Sequence, residues 1–251
     1  MRIARLDIAR AQHRPGFTLV EMLIVVGIIV ILVTMLVPSL AAVRTAARVT
    51  STQVLLHTLE TGLNMFRGEI RLGRDYPPSY WDGAQGGVPP NYKGSEYYGA
   101  MTLVWALAGA DLRGTPGFRL QGNESMADLY NNTTMHARYG PFVDISKTRI
   151  GRAIADKDYS DVDWAAPVFV DDFDWPVLYF KAPYLIRDNE GILYSNQKGQ
   201  PPPYLTQAQV FSAYIQDPRA SQLGFLLISV GPDKKYGTAD DVANFPFIPV
   251  R

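Results

Sequence analysis

The chain has 251 residues, enough to bury a proper core, and its 47% apolar and 19% charged content fits a globular protein with one membrane segment. Formal charge is zero, yet residues 1–16 carry Arg2, Arg5, Arg10 and Arg14 against Asp7 alone. No basic patch follows them, which argues against nucleic acid as a partner.

Residues 17–37 form an apolar run with Glu21 as its only charge, and the next charge is Arg44. As a helix this run spans about 31 Å, close to one hydrocarbon thickness. The preceding arginines place the N-terminus in the cytoplasm and the chain beyond about residue 40 outside. A cleaved secretory signal ending at Ser39-Leu40-Ala41 or a plain signal anchor would explain the arginines, but neither explains an acid inside the run.

The stretch Gly16-Phe17-Thr18-Leu19-Val20-Glu21 resembles the processing motif of type IV pilins and of the pseudopilins of type II secretion systems. The resemblance implies that a prepilin peptidase cuts between Gly16 and Phe17 and methylates the new amine on Phe17. Residues 1–16 would be the leader, and the apolar helix would be retained. It also implies that Glu21 pairs with the terminal amine of a neighbouring subunit during assembly. An ion pair at about 4 Å is worth roughly 4 kcal/mol at an effective dielectric near 20, so assembly relieves the penalty of a lone acid in lipid. Pro38 ends the apolar run and predicts a bend.

Residues 39–70 continue as an amphipathic helix, with Leu40, Val43, Ala47, Val54, Leu55, Leu59, Leu63 and Phe66 recurring at three- and four-residue steps. Gly73 and Pro77-Pro78 stop it, giving a transmembrane part at 17–38 and a stalk at 39–72. The stretch at 59–66 followed by Gly73-Arg74-Asp75-Tyr76-Pro77 resembles the corresponding region of the major pseudopilin.

The head is expected over 73–251. Residues 75–99 are dense in Gly, Pro and Tyr and read as loop; 101–110 could form a short apolar helix. The overlapping sequons at 131–134 read as a polar turn, and the run Asp156, Asp158, Asp161, Asp163 reads as a solvated surface because it lacks the glycine and terminal glutamate of a calcium loop. Strands are predicted at 177–180 and 223–230. The segment around Asp174-Trp175-Pro176 resembles, loosely, the Asp-x-Trp-Gly-x-Pro element of major pseudopilins, with the glycine missing. The aromatic residues of the middle region, 79–166, could bind a partner or could be core.

Residues 229–245 bring Asp233, Asp240 and Asp241 together with Gly231 and Gly237. Carboxylates and backbone carbonyls on a tightly turning loop suit a hard cation, and an aspartate turn capping its own amides is the plainer alternative. The loop resembles the calcium-binding loop of the major pseudopilin, with Lys234 in place of a glycine. That resemblance implies calcium held by Asp233, by one or both of Asp240 and Asp241, and by carbonyls around Val230. The chain has no cysteines, so a metal could stand where a disulfide would otherwise hold the loop.

His13, His57 and His136 are scattered and no catalytic motif appears, so an enzyme is not expected. The expectation is an α+β, pilin-like fold: a long membrane-spanning and stalk helix packed on a small antiparallel head with an extended central insertion. The resemblance implies an inner-membrane, single-pass subunit with a periplasmic head. Its partners would be prepilin peptidase, further copies in a helical filament, other pseudopilins and the inner-membrane secretion platform. A surface fibre for adhesion or motility, or a solitary anchored ligand-binding protein, are the alternatives.

Overall fold

The computed structural model describes residues 16–82, 96–118, 128–129, 137–154, 166–185, 193–194, 214 and 219–246. The leader arginines, His13, the sequons at 131–134, His136 and the acidic run Asp156, Asp158, Asp161 and Asp163 lie outside these residues. The chain divides into two compact units, residues 1–45 and 46–251. One helix, α1 (Leu19–Gly68), contributes to both.

In the first unit α1 is apolar all round, and none of its most apolar eighteen-residue window is buried. A helix of that kind needs an apolar surrounding. Its length and composition are those of a helix able to cross a membrane. Pro38 lies inside α1, and the helix is continuous on both sides of it. The missing amide removes one bond to the preceding turn without ending the helix.

In the second unit the character of α1 changes. Thr52, Leu56, Leu59, Gly62, Leu63 and Phe66 are buried, at three- and four-residue steps. Leu59 and Leu63 pack in a core with Leu103, Val104, Leu107, Phe169, Tyr179 and Leu227. Each fully buried leucine of this kind stabilises by about 2 kcal/mol. Gly62 sets the closeness of the packing: a Cβ there would lie 2.9 Å from Val143 Cγ1 and 3.2 Å from Leu107 Cδ2. The helix closes at Gly68, short of the expected residue 72. Residues Ile70–Leu72 form a separate 3-10 turn, capped by the Glu69 side chain and closed by Gly73 at φ 111°.

Among the described residues the head holds three antiparallel sheets. Strands β1 (Tyr80–Asp82) and β2 (Glu96–Tyr98) pair together; β3 (Ile150–Ile154) lies between β4 (Ala166–Phe169) and β6 (Leu193–Tyr194). Strand β5 (Leu178–Lys181) pairs with β7 (Phe225–Ser229), which also pairs with β8 (Val242–Ala243). The arrangement is α+β, with a long N-terminal apolar helix and small antiparallel sheets, consistent with a pilin-like fold. Strands β5 and β7 fall one and two residues from the starts expected for them.

Helix α2 (Gly99–Ala108) is buried along its whole length. That fits a ten-residue run with no charge, since a helix apolar on every side must be enclosed. Trp105, Tyr97 and Tyr98 are 0%, 1% and 5% exposed. Trp105 packs edge-on to Tyr97 and against Phe118. These aromatic residues of the middle region are therefore core. Tyr76 and Pro77 after the stalk are tied to the β5–β7 sheet: Tyr76 meets Phe225 edge-on, and the Tyr179 hydroxyl donates to Pro77 O at 2.7 Å.

Candidate functional site

Two clusters carry the candidate chemistry, one in each unit. In the first, residues 16–18 precede the helix and Phe17 is 75% exposed. The Gly16–Phe17 bond thus lies outside the hydrogen-bonded helix. Thr18 caps the helix: its backbone N–H and its hydroxyl both donate to Glu21 Oε2, at 2.9 and 2.8 Å, while the Glu21 N–H donates to Thr18 Oγ1 at 3.2 Å. This is the reciprocal capping box of a Thr-x-x-Glu start. The carboxylate of Glu21 therefore has local donors at the helix N-terminus, where negative charge is favoured. The role of Thr18 was readable from the spacing Thr18-Leu19-Val20-Glu21, a signature that the processing motif hides in plain sight.

In the head, the loop at 230–241 connects β7 to β8, so both of its ends are anchored in one sheet. Two glycines shape it. A Cβ on Gly231 would lie 2.1 Å from Asp240 O, so no other residue fits, and Gly237 has φ 88°. Lys234 takes φ 60°. It keeps a backbone conformation that costs a non-glycine residue about 1 kcal/mol or more.

The aspartates of the loop serve its own backbone first. Asp233 is exposed, and its Oδ1 accepts from Lys235 N at 2.8 Å. Asp240 Oδ2 accepts from Asp233 N at 2.9 Å, and its Oδ1 accepts from the Thr238 hydroxyl at 2.5 Å. Asp241 differs. Its Oδ2 accepts from Gly237 N at 2.6 Å, from Thr238 N at 3.1 Å and from the hydroxyl of Tyr214. Its Oδ1 is buried and has no hydrogen-bond partner among the described residues. Burial raises the Asp241 carboxyl to about 6. Val230 is fully buried, and its carbonyl accepts from the Ser229 hydroxyl at 3.2 Å. Among the described residues no three acidic or histidine side chains are gathered so as to hold a metal ion. The one observation that fits a cation here is Asp241 Oδ1, an orphaned carboxylate oxygen inside the protein.

A buried carboxylate lies beside the start of this loop. Asp171 is fully buried; its Oδ1 accepts from Phe173 N and Trp175 N, both at 2.8 Å, and its Oδ2 from the Ser229 hydroxyl at 2.5 Å. Burial pushes its carboxyl up to about 6 despite these donors. Asp171 joins the 171–176 turn to the end of β7, where the aspartate loop begins. The Tyr236 ring meets Trp175 edge-on and its hydroxyl donates to Pro176 O, a second tie between turn and loop. On the other side Phe173, Trp175 and Val230 pack against Val49 of α1.

Asp174 has φ 66°. Arg149 holds the turn from outside, donating to Asp171 O at 2.9 Å and pairing with Asp174.

Comparison of the chain with family models gives one match, to the prokaryotic N-terminal methylation motif over residues 12–37. The N-terminus carries a prepilin-type motif. It indicates a type IV pilin-like or pseudopilin subunit, a structural class rather than an enzymatic one. It implies processing by prepilin peptidase and assembly into a pilin-like filament, and the single N-terminal apolar helix suggests a single-pass membrane anchor. Comparison with curated proteins and with solved structures returns no match.

Proposed function

We propose that this chain is a subunit of a type II secretion pseudopilus, cleaved between Gly16 and Phe17, methylated on Phe17 and polymerised beneath the outer membrane to help export folded proteins. The observation that carries the reading is the prepilin-type motif at residues 12–37, set on a helix that begins immediately after it with Glu21 in the first turn. Cleavage puts a positive amine about one helical turn before Glu21. In the isolated subunit that carboxylate is held by Thr18; in the filament a neighbour's amine competes for it. Other pseudopilins and the inner-membrane secretion platform are the partners that this reading entails, with the head in the periplasm.

Calcium is part of the same proposal. Asp241 Oδ1 would be the buried ligand, and Asp233, Asp240 and the Val230 carbonyl would be the others. The ion would supply positive charge to an oxygen that no protein donor reaches, and it would cross-link a loop that has no disulfide. Support comes from that orphaned oxygen and from the retained glycine-like backbone at Lys234.

A surface fibre for adhesion or motility uses the same motif, and one experiment separates the two. The extracellular proteome of a strain lacking this gene is compared with that of its parent. Loss of several exported proteins from the medium, with their accumulation in the periplasm, is the expected result. An unchanged secreted set overturns the secretion reading and leaves the fibre.

A further inference from the structure

We propose that the groove between the second half of α1 and the β8 segment of one subunit receives the Arg44–Arg48 face of the next copy, with Glu60 as the acid that meets Arg48. This rests on the polymerisation proposed above and adds to it a contact that does not involve Glu21.

The groove has a volume of about 700 Å3. Val49 and Leu56 of α1 line it together with Val242 and Phe245. Glu60 and Asp240 give it negative charge, and no lysine or arginine lines it. Among the described residues its one basic group is His57, whose Nδ1 lies 3.6 Å from Glu60 Oε2. Apolar walls with an acid and no fixed cation suit a partner that has an apolar body and a positive end.

The opposite patch has that form. Arg44 and Arg48 are exposed, stand one turn apart on α1 and make no ion pair among the described residues. Val43 and Ala47 beside them are exposed as well. Arg48 shares an open cleft with Asp172 and Asp174, but Arg149 already pairs with both acids. An arginine stem lies well along apolar surface while its guanidinium reaches a carboxylate.

The two patches cannot meet within one chain. At 1.5 Å and about 100° per residue, Arg48 lies about 18 Å along α1 from Glu60 and about 120° round it. None of the acids in the Arg48 cleft lines the groove. A contact between two different patches of the same chain repeats from copy to copy, and it builds an open filament unless it closes into a ring. A patch that matched only itself would stop at a dimer.

The chain has no cysteines, so an introduced pair reads this contact without background. Arg48→Cys and Glu60→Cys are combined in the full-length chain, expressed in its native host and treated in whole cells with a short bismaleimide. Each single variant is treated in parallel. The expected result is a ladder of three or more linked subunits from the double variant, and nothing beyond a dimer from either single one. Filaments sheared from the double-variant cells without such a ladder overturn the contact and leave polymerisation standing. An absence of filaments from the wild-type chain overturns polymerisation, and the contact with it. Should the cysteine pair itself prevent assembly, charge exchange carries the test. Arg48→Glu and Glu60→Arg are each expected to lower filament yield about tenfold or more, because like charges then face each other, and the chain with both changes is expected to recover it. A combined variant no better than the single ones overturns the proposal.

Discussion

The two halves of α1 share one backbone conformation and live by different rules. Residues 19–45 are apolar on every side with their side chains exposed, whereas residues 46–68 bury one stripe centred on Leu59 and Leu63 and leave the rest polar or open. The first half has too much apolar surface for water, so its partner must be lipid or other helices. The second finds its partner in its own head. The lesson is that helix content alone says little here; what surrounds each turn decides what a substitution does. Changes in the first half should affect anchoring and assembly while sparing the head, and changes in the second should do the reverse.

The largest effect expected is on the first half. On the proposed function, Glu21→Ala leaves the Gly16–Phe17 cut largely intact and removes the acid that would pair with a neighbour's amine, so filament yield should fall by about tenfold or more. Filament yield after shearing, measured beside immunoblots of the processed subunit, checks it. A normal yield would break the comparison, because the acid would then have no part in polymerisation. The head's melting temperature should not move.

Next comes the second half. Leu63→Ala should cost the head about 3 kcal/mol, in the range for a buried leucine whose cavity cannot collapse. Ile28→Ala, in the exposed first half, should leave the head's thermal transition unchanged. Calorimetry on the full chain in detergent reads both.

The third effect is of similar or smaller size and depends on pH. The Asp171 carboxyl titrates near 6 in the folded chain, above its ordinary value of 3.8. A raised carboxyl pKa means that the folded state holds the proton more tightly. Its contribution to stability is present below about pH 4 and is lost as pH rises through about 6, an upper limit of roughly 3 kcal/mol. Asp171→Asn should flatten the stability profile between pH 4 and 6. A profile of the same slope in the variant would remove Asp171 from the account.

The smallest is Thr18→Val. Losing the cap should cost the start of the helix about 1 kcal/mol while leaving processing in place. Hydrogen exchange at residues 19–22 measures it, and unchanged protection would show that the helix start is held some other way.

Much of this architecture was legible without coordinates. The unbroken apolar run, the three- and four-residue steps of the stalk, and the strands at 177–180 and 223–230 all depend on local periodicity, and the structure follows them within a few residues. What stayed hidden depends on contacts distant in sequence. Asp171 looks like half of an acidic pair until Ser229, 58 residues away, is seen to donate to it. Tyr214 is one tyrosine among many until the fold brings it to Asp241. Asp174 and Lys234 give no sign of their positive φ in the sequence, because left-handed backbone at a non-glycine residue leaves no mark in composition. The aromatic residues of the middle region could be given no role from sequence, since exposure is what separates a ligand platform from a core.

The central claim is that the first half of α1 is a retained, processed polymerisation helix. Intact mass and fragment spectra of the protein purified from membranes of its native host test it most directly. The account predicts a mature chain that begins at Phe17 and bears one N-methyl group on that residue. A chain that still begins at Met1, or one cut after Ala41, would contradict it.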